Sequence, residues 1–299
     1  MSTKDFRNST TPQRKRLSWQ NKRLLKFALG VVLPIILLST IVGARIPTDT
    51  ANTDIASTKS PKIIAKRFER DLSGWGQELC CKHSAQIASH PTRAGGEAVK
   101  ITLKKSDPYF KNSRPRAELK LRPVPANSEH WYGLSLFIPK EYTLEPKSFE
   151  IITQFISPPD KDLGEKWHRP SLTLSMRKKG FTLTNYWDSR QITKGKQFEG
   201  RQQWNLGAVE KGKWIDFVYH AKWSYKSDGL LEAWKGGKLI LRRKGANTFN
   251  DKRGPSFKMG IYKPDWKSRP ERSITTQRII YFDEVRIGDA SASYKDVAP

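Results

Sequence analysis

The chain has 299 residues, 36% of them hydrophobic and ten of them tryptophan, enough for one large core and a tail. Its 55 Lys and Arg against 29 Asp and Glu leave a net charge of +26, which favours a polyanionic partner. With no helix-turn-helix, zinc-finger, RRM or KH pattern, nucleic acid is not expected to be that partner.

Residues 1–26 form a basic tail: Arg14, Lys15, Arg16, Lys22, Arg23 and Lys26 precede an uncharged run, residues 27–44. Basic residues ahead of an apolar run keep the tail cytoplasmic and send the remainder of the chain across the membrane. Eighteen residues is long for a cleaved signal and near the lower limit for a spanning helix, so signal peptide and signal-anchor both stay open. Val42-Gly43-Ala44 offers a small-residue cleavage site. The expectation is a monomer exported to the periplasm or beyond, membrane-bound only if residues 27–44 are retained. Residues 45–62, rich in Thr, Ser, Ala and Pro, read as a linker. The folded part is expected over 63–299. Beyond residue 45 there remain 46 basic and 28 acidic residues, a charge of +18.

Within that part, short alternating runs separated by Gly, Pro, Asn and Asp predict an all-β sandwich. Ala98–Leu103, Leu172–Met176 and Trp214–Ala221 are examples. In the last, Trp214, Asp216, Val218 and His220 share one face; Ile215, Phe217, Tyr219 and Ala221 share the other. Gly236-Gly237 predicts a hairpin turn. Cys80 and Cys81 are the only cysteines. A disulfide between neighbours needs a strained ring, so free thiols or an intermolecular role are expected. Two polar loops, 157–170 and 186–204, would either cover a groove or serve as simple solvated connections.

Three separated segments put polar residues at alternate positions. Arg116, Glu118 and Lys120 would share a strand face, with Ala117 and Leu119 opposite. Gln154 begins Gln154-Phe155-Ile156. Lys258 and Tyr262 would share a face, with Phe257, Met259 and Ile261 opposite. Taken alone, the first segment suits an ion-pair ladder on a solvated face. The three together suit a groove for an acidic substrate.

These segments resemble the R-x-E-L-R, Q-x-H and Y-F-K-x-G-x-Y strands of jelly-roll polysaccharide lyases, which include family 7 alginate lyases, family 20 glucuronan lyases and heparin-lyase-I-like proteins. Trp131-Tyr132-Gly133, Gly212-Lys213-Trp214, residues 228–234 and Tyr281–Gly288 fit the same pattern, and the resemblance spans about Ile64 to Gly288. It implies a β-jelly-roll with a concave groove and cleavage of a uronate-containing anionic polysaccharide by β-elimination. The chain departs from it at Ile156, where the pattern has histidine.

Such a reaction needs three things. The uronate carboxylate must be neutralised, a base must take the C5 proton, and an acid must protonate the departing O4. The candidates for the first are Gln154 and Arg116, with Glu118 orienting Arg116. Tyr262 is the candidate for base and then acid, a syn route that needs no histidine. Arg116, Lys120 and Lys258 are expected to stabilise its phenolate. His168 or His220 is the alternative base. Tyr186, Trp187 and Trp266 are candidate sugar platforms. No cofactor is expected to be required; Asp283, in the closing strand, is the candidate ligand for an optional structural calcium. Two other readings remain: a non-catalytic anionic-carbohydrate-binding protein on the same fold, and a laminarinase-type hydrolase. The hydrolase reading lacks the E-x-D-x-x-E strand it would need.

Overall fold

Apolar side chains at every second position need a second layer to bury them, and two antiparallel sheets supply it. The computed structural model describes residues 60–66, 68, 71–195 and 197–299. The tail, the apolar run at 27–44 and nearly all of the 45–62 segment lie outside those residues. No helix among the described residues is long and apolar enough to cross a membrane.

In chain order the strands are β1 (Ile63–Lys66), β2 (Gly76–Glu78), β3 (Ala85–Ala88), β4 (Ala98–Lys104), β5 (Arg116–Lys120), β6 (Glu129–Phe137), β7 (Glu150–Ile156) and β8 (Leu172–Arg177). They continue as β9 (Gly180–Trp187), β10 (Gly200–Asn205), β11 (Trp214–Lys222), β12 (Leu230–Lys235), β13 (Lys238–Lys244), β14 (Ser256–Tyr262) and β15 (Gln277–Gly288). One sheet runs β13-β12-β11-β6-β15-β4-β3, with β1 also paired to β15. The other runs β10-β9-β8-β7-β14-β5-β2. The described helices are short: α1 (Asp265–Ser268), α2 (Tyr294–Val297) and three single turns. This is the expected all-β jelly-roll sandwich.

Between the sheets lies an aromatic hub. The Phe155 ring meets Tyr132 at 4.9 Å, Phe257 at 5.2 Å, Trp223 at 5.3 Å and Tyr219 at 5.6 Å, drawing on both sheets. Offset and edge contacts of this kind add to what area burial alone supplies. The β11 alternation holds: Ile215, Phe217, Tyr219 and Ala221 are buried in the core. Gly236 and Gly237, at φ 54° and 82°, turn β12 into β13 as the dipeptide predicts.

Two expectations are corrected here. Cys80 and Cys81 are joined to each other, their Cα atoms 3.7 Å apart. They sit in the irregular turn after β2, closed by a hydrogen bond from Ser84 N to Cys81 O, so no ladder constrains their backbone. The stretch expected as a loop over 186–204 is shorter. Tyr186 and Trp187 end β9, Trp204 lies in β10, and the two strands pair from Trp187–Gly200 to Thr182–Asn205.

Candidate active site

The seven-stranded sheet presents its second face to an open cleft of about 1160 Å³. Strand parity decides what reaches it. Ala117, Leu119, Phe257, Met259, Ile261 and Phe155 go to the core. Arg116, Lys120, Gln154, Ile156, Lys258 and Tyr262 therefore line the cleft. The register is what the three segments require: Lys258 lies opposite Lys120 on one side and Gln154 on the other, Tyr262 opposite Arg116, and Gly260 opposite Glu118. Gly260 has φ 139°, and a Cβ there would come within 2.2 Å of Ala117 O. Only glycine allows β5 and β14 to approach so closely.

One carboxylate organises the cations. Glu78, on β2, accepts hydrogen bonds from Arg116 Nη1 at 2.8 Å, Lys120 Nζ at 3.0 Å and Lys258 Nζ at 2.8 Å. Burial alone would raise its pKa, but Lys258, Arg116 and Lys120 outweigh burial and hold it at about 2. Glu118 takes a hydrogen bond from the Gln154 side-chain amide and a second, at 3.3 Å, from Arg116 Nη1. Glu118 thus ties Gln154 to Arg116, the orienting part expected of it.

Tyr262 lies beneath the Arg116 guanidinium, 4.7 Å from its carbon to the ring centroid. Burial raises the phenol pKa, and the pull of Arg116, Arg114 and Arg169 is too weak to reverse that. The expected phenolate stabilisation is therefore corrected: Lys120 and Lys258 are committed to Glu78, and desolvation wins. Lys263 anchors the end of β14. Its buried ammonium bonds Glu150 at 2.8 Å and Ser148 at 3.3 Å.

Neither alternative base is free in the cleft. The His168 imidazole has no exposed surface; it stacks on Phe249 and faces Asp251 and the Arg169 carbonyl. It forms part of the cleft wall rather than a group offered to a substrate. Burial would lower its pKa, but Asp251, the Arg169 carbonyl and Glu165 raise it overall. His220 lies on β11, in the other sheet, held by Glu232 at 2.6 Å and Glu129 at 2.7 Å and stacked on Trp131. Ile156 stands on the cleft floor where the lyase pattern has histidine, opposite Ser256.

The expected sugar platforms are also displaced. Trp266, in α1, is only 4% exposed and donates its indole N–H to Ser273. Tyr186 packs on Phe198, and Trp187 lies 4.1 Å under the Arg243 guanidinium; neither lines the cleft. Among the aromatic residues that line the cleft, Trp167 is the most exposed, at 58%. Asp283 accepts backbone N–H bonds from Arg93, Ala94 and Glu284. Beside it, Arg93 pairs with Asp216.

A family model for polysaccharide lyase matches residues 69–286. The chain belongs to the polysaccharide lyase family. Its fold is similar to that of the endo-β-1,4-glucuronan lyase of the fungus Trichoderma reesei, with TM-score 0.65 and 22% identity over 78% of this chain and 97% of that one. It is also similar to the alginate lyase Aly36B, with TM-score 0.50 and 12% identity over 76% and 96% of the two chains. No curated protein matches. At these identities the likeness to the solved lyases is one of fold.

Proposed function

We propose that this protein cleaves a uronate-containing anionic polysaccharide by β-elimination. The observation that carries the reading is the cleft's charge: nine Lys and Arg line it against one carboxylate, Glu78. A neutral glycan gains nothing from such a lining, whereas a polyanion is drawn into it.

In this reading the C6 carboxylate of the sugar meets Arg116 and Gln154. Nε and Nη1 of Arg116 are committed to protein oxygens, which leaves Nη2 for the substrate. Gln154 spends one amide N–H on Glu118 and keeps the other. Neutralising the carboxylate acidifies the C5 proton and holds the charge that develops in the transition state. Tyr262 as phenolate takes that proton, and as phenol returns it to the departing O4. One group serves both steps because proton and leaving group depart from the same side of the ring. Trp167 offers an apolar face to a pyranose at the cleft rim.

Residues 27–44 as a signal or anchor, with export of the domain, belong to the same proposal and rest on the sequence.

Ile156 favours a second reading, a carbohydrate-binding protein that has lost the chemistry. Incubating the protein with glucuronan, alginate, heparin, hyaluronan and pectate separately, and monitoring the ultraviolet absorbance of the unsaturated uronate, decides between them. A rise on one substrate supports the lyase and identifies its class. A flat trace on all, with retention on an immobilised polyanion, supports the binding protein.

A further inference from the structure

Behind the cleft wall, three buried side chains from two segments converge. Glu165 and His168 come from the loop after β7, and Asp251 from the segment before β14. Their ligand-type atoms all lie within 4.8 Å of one another. None of the ion pairs found among the described residues joins Glu165 or Asp251 to a Lys or Arg. The neighbouring Lys252 Nζ goes to Asp162, and Arg190 goes to Asp188. Two buried carboxylates therefore share a single imidazole, an arrangement burial makes expensive.

The distances point the same way. Where a histidine in this protein bonds a carboxylate directly, at His220, the separations are 2.6 and 2.7 Å. The His168 Nε2 instead lies 3.3 Å from Asp251 Oδ1 and 3.2 Å from Oδ2. That is long for a charge-assisted hydrogen bond. Asp251 Oδ2 is buried and has no hydrogen-bond partner. Two ligands each about 2.0–2.2 Å from a tetrahedral metal lie about 3.3–3.6 Å apart. His168 Nδ1 lies 2.8 Å from the Arg169 carbonyl, so it carries the proton and leaves the Nε2 lone pair for a metal in the neutral ring. Glu165 is held in place by backbone N–H groups, Thr193 N at 2.8 Å on Oε1 and Asp160 N at 2.9 Å on Oε2, and keeps lone pairs on both oxygens.

We propose that Glu165, His168 and Asp251 form a structural site for a first-row divalent metal, zinc foremost. The imidazole selects against calcium and magnesium, which take oxygen ligands. Water completes the coordination, and Nε2, if protonated beforehand, releases its proton to solvent on binding. The ion clips two stretches together, the loop carrying Trp167 and Arg169 and the segment leading to Arg253, and the loop carrying Thr193 is tied to the first through Glu165. Trp167, Arg169 and Arg253 all line the cleft. The metal thus sets the cleft wall without touching substrate, and it is independent of which polysaccharide the cleft takes.

The test uses the full chain without a polyhistidine tag, stripped with a chelator and titrated with zinc chloride by calorimetry, with thermal unfolding alongside. About one zinc per chain is expected, with an unfolding midpoint raised by about 5 °C or more at saturation and no comparable rise with calcium or magnesium. Asp251→Asn and Glu165→Gln should each weaken zinc by a larger factor than the loss of an outer-shell partner, which costs about 10–100-fold. Two variants are used so that a folding defect in one does not decide the result, and each is first checked for an intact metal-free transition. Absence of zinc binding in the wild type overturns the proposal. So does zinc bound equally by both variants but lost in His83→Gln, which would put the ion at the His83 and Asp107 pair instead.

Discussion

Lys258 Nζ lies 2.8 Å from Glu78 Oε1, so this cleft-lining cation is committed to a carboxylate rather than to the tyrosine four residues on. Glu78 also gathers Arg116 and Lys120, and three strands, β2, β5 and β14, are cross-linked by one side chain.

Glu78→Gln should therefore destabilise the fold by about 3 kcal/mol, because it leaves three clustered cations without their counter-charge. The effect has a pH signature. The Glu78 pKa is lowered from 4.5 to about 2, so its contribution is fully present above about pH 4.5 and is lost as pH falls toward 2. Thermal unfolding of wild type and variant across that range should show the gap closing with acid. A constant gap would contradict the assignment.

Burial raises the Tyr262 pKa above the ordinary phenol value, so at pH 7 only a small fraction of molecules carries the phenolate a base needs. Below its pKa that fraction grows tenfold per pH unit. The logarithm of kcat/KM should rise with unit slope through the neutral and alkaline range. A bell centred near neutrality would point to a histidine instead.

Ile156→His restores the residue type the lyase pattern carries, on the cleft floor opposite Ser256. A histidine titrates near neutrality, so it should raise turnover at pH 7 by about tenfold or more and flatten the alkaline rise. Turnover measured at pH 7 and 9 for both proteins tests this.

Trp167, exposed at the cleft, should bind the ground state and the transition state alike. Trp167→Ala is expected to raise KM several-fold and leave kcat within about twofold. A loss confined to kcat would rule out a platform.

The alternation of apolar and polar residues carried most of the fold and the polar half of the cleft. Arg116, Glu118 and Lys120 on one side and Lys258 and Tyr262 on the other emerge from parity alone, because a one-residue slip would bury them. Glu78 was invisible for the opposite reason. Its strand, Gly76-Gln77-Glu78, is too short to show a period and exists through its pairing with β5. The histidines and Trp266 were misplaced because their surroundings are distant in sequence. Asp251 lies 83 residues beyond His168, and Glu129 lies 91 before His220. Trp266 sits in a four-residue helix whose burial no local pattern announces.

The central claim is that Tyr262 moves the proton. Turnover and affinity of Tyr262→Phe should be measured together on the polysaccharide that the wild type cleaves. Turnover lower by about 10²–10⁴-fold, with binding to the same glycan within a few-fold of wild type, is the predicted result. Retained turnover would contradict the account and remove Tyr262 from the chemistry.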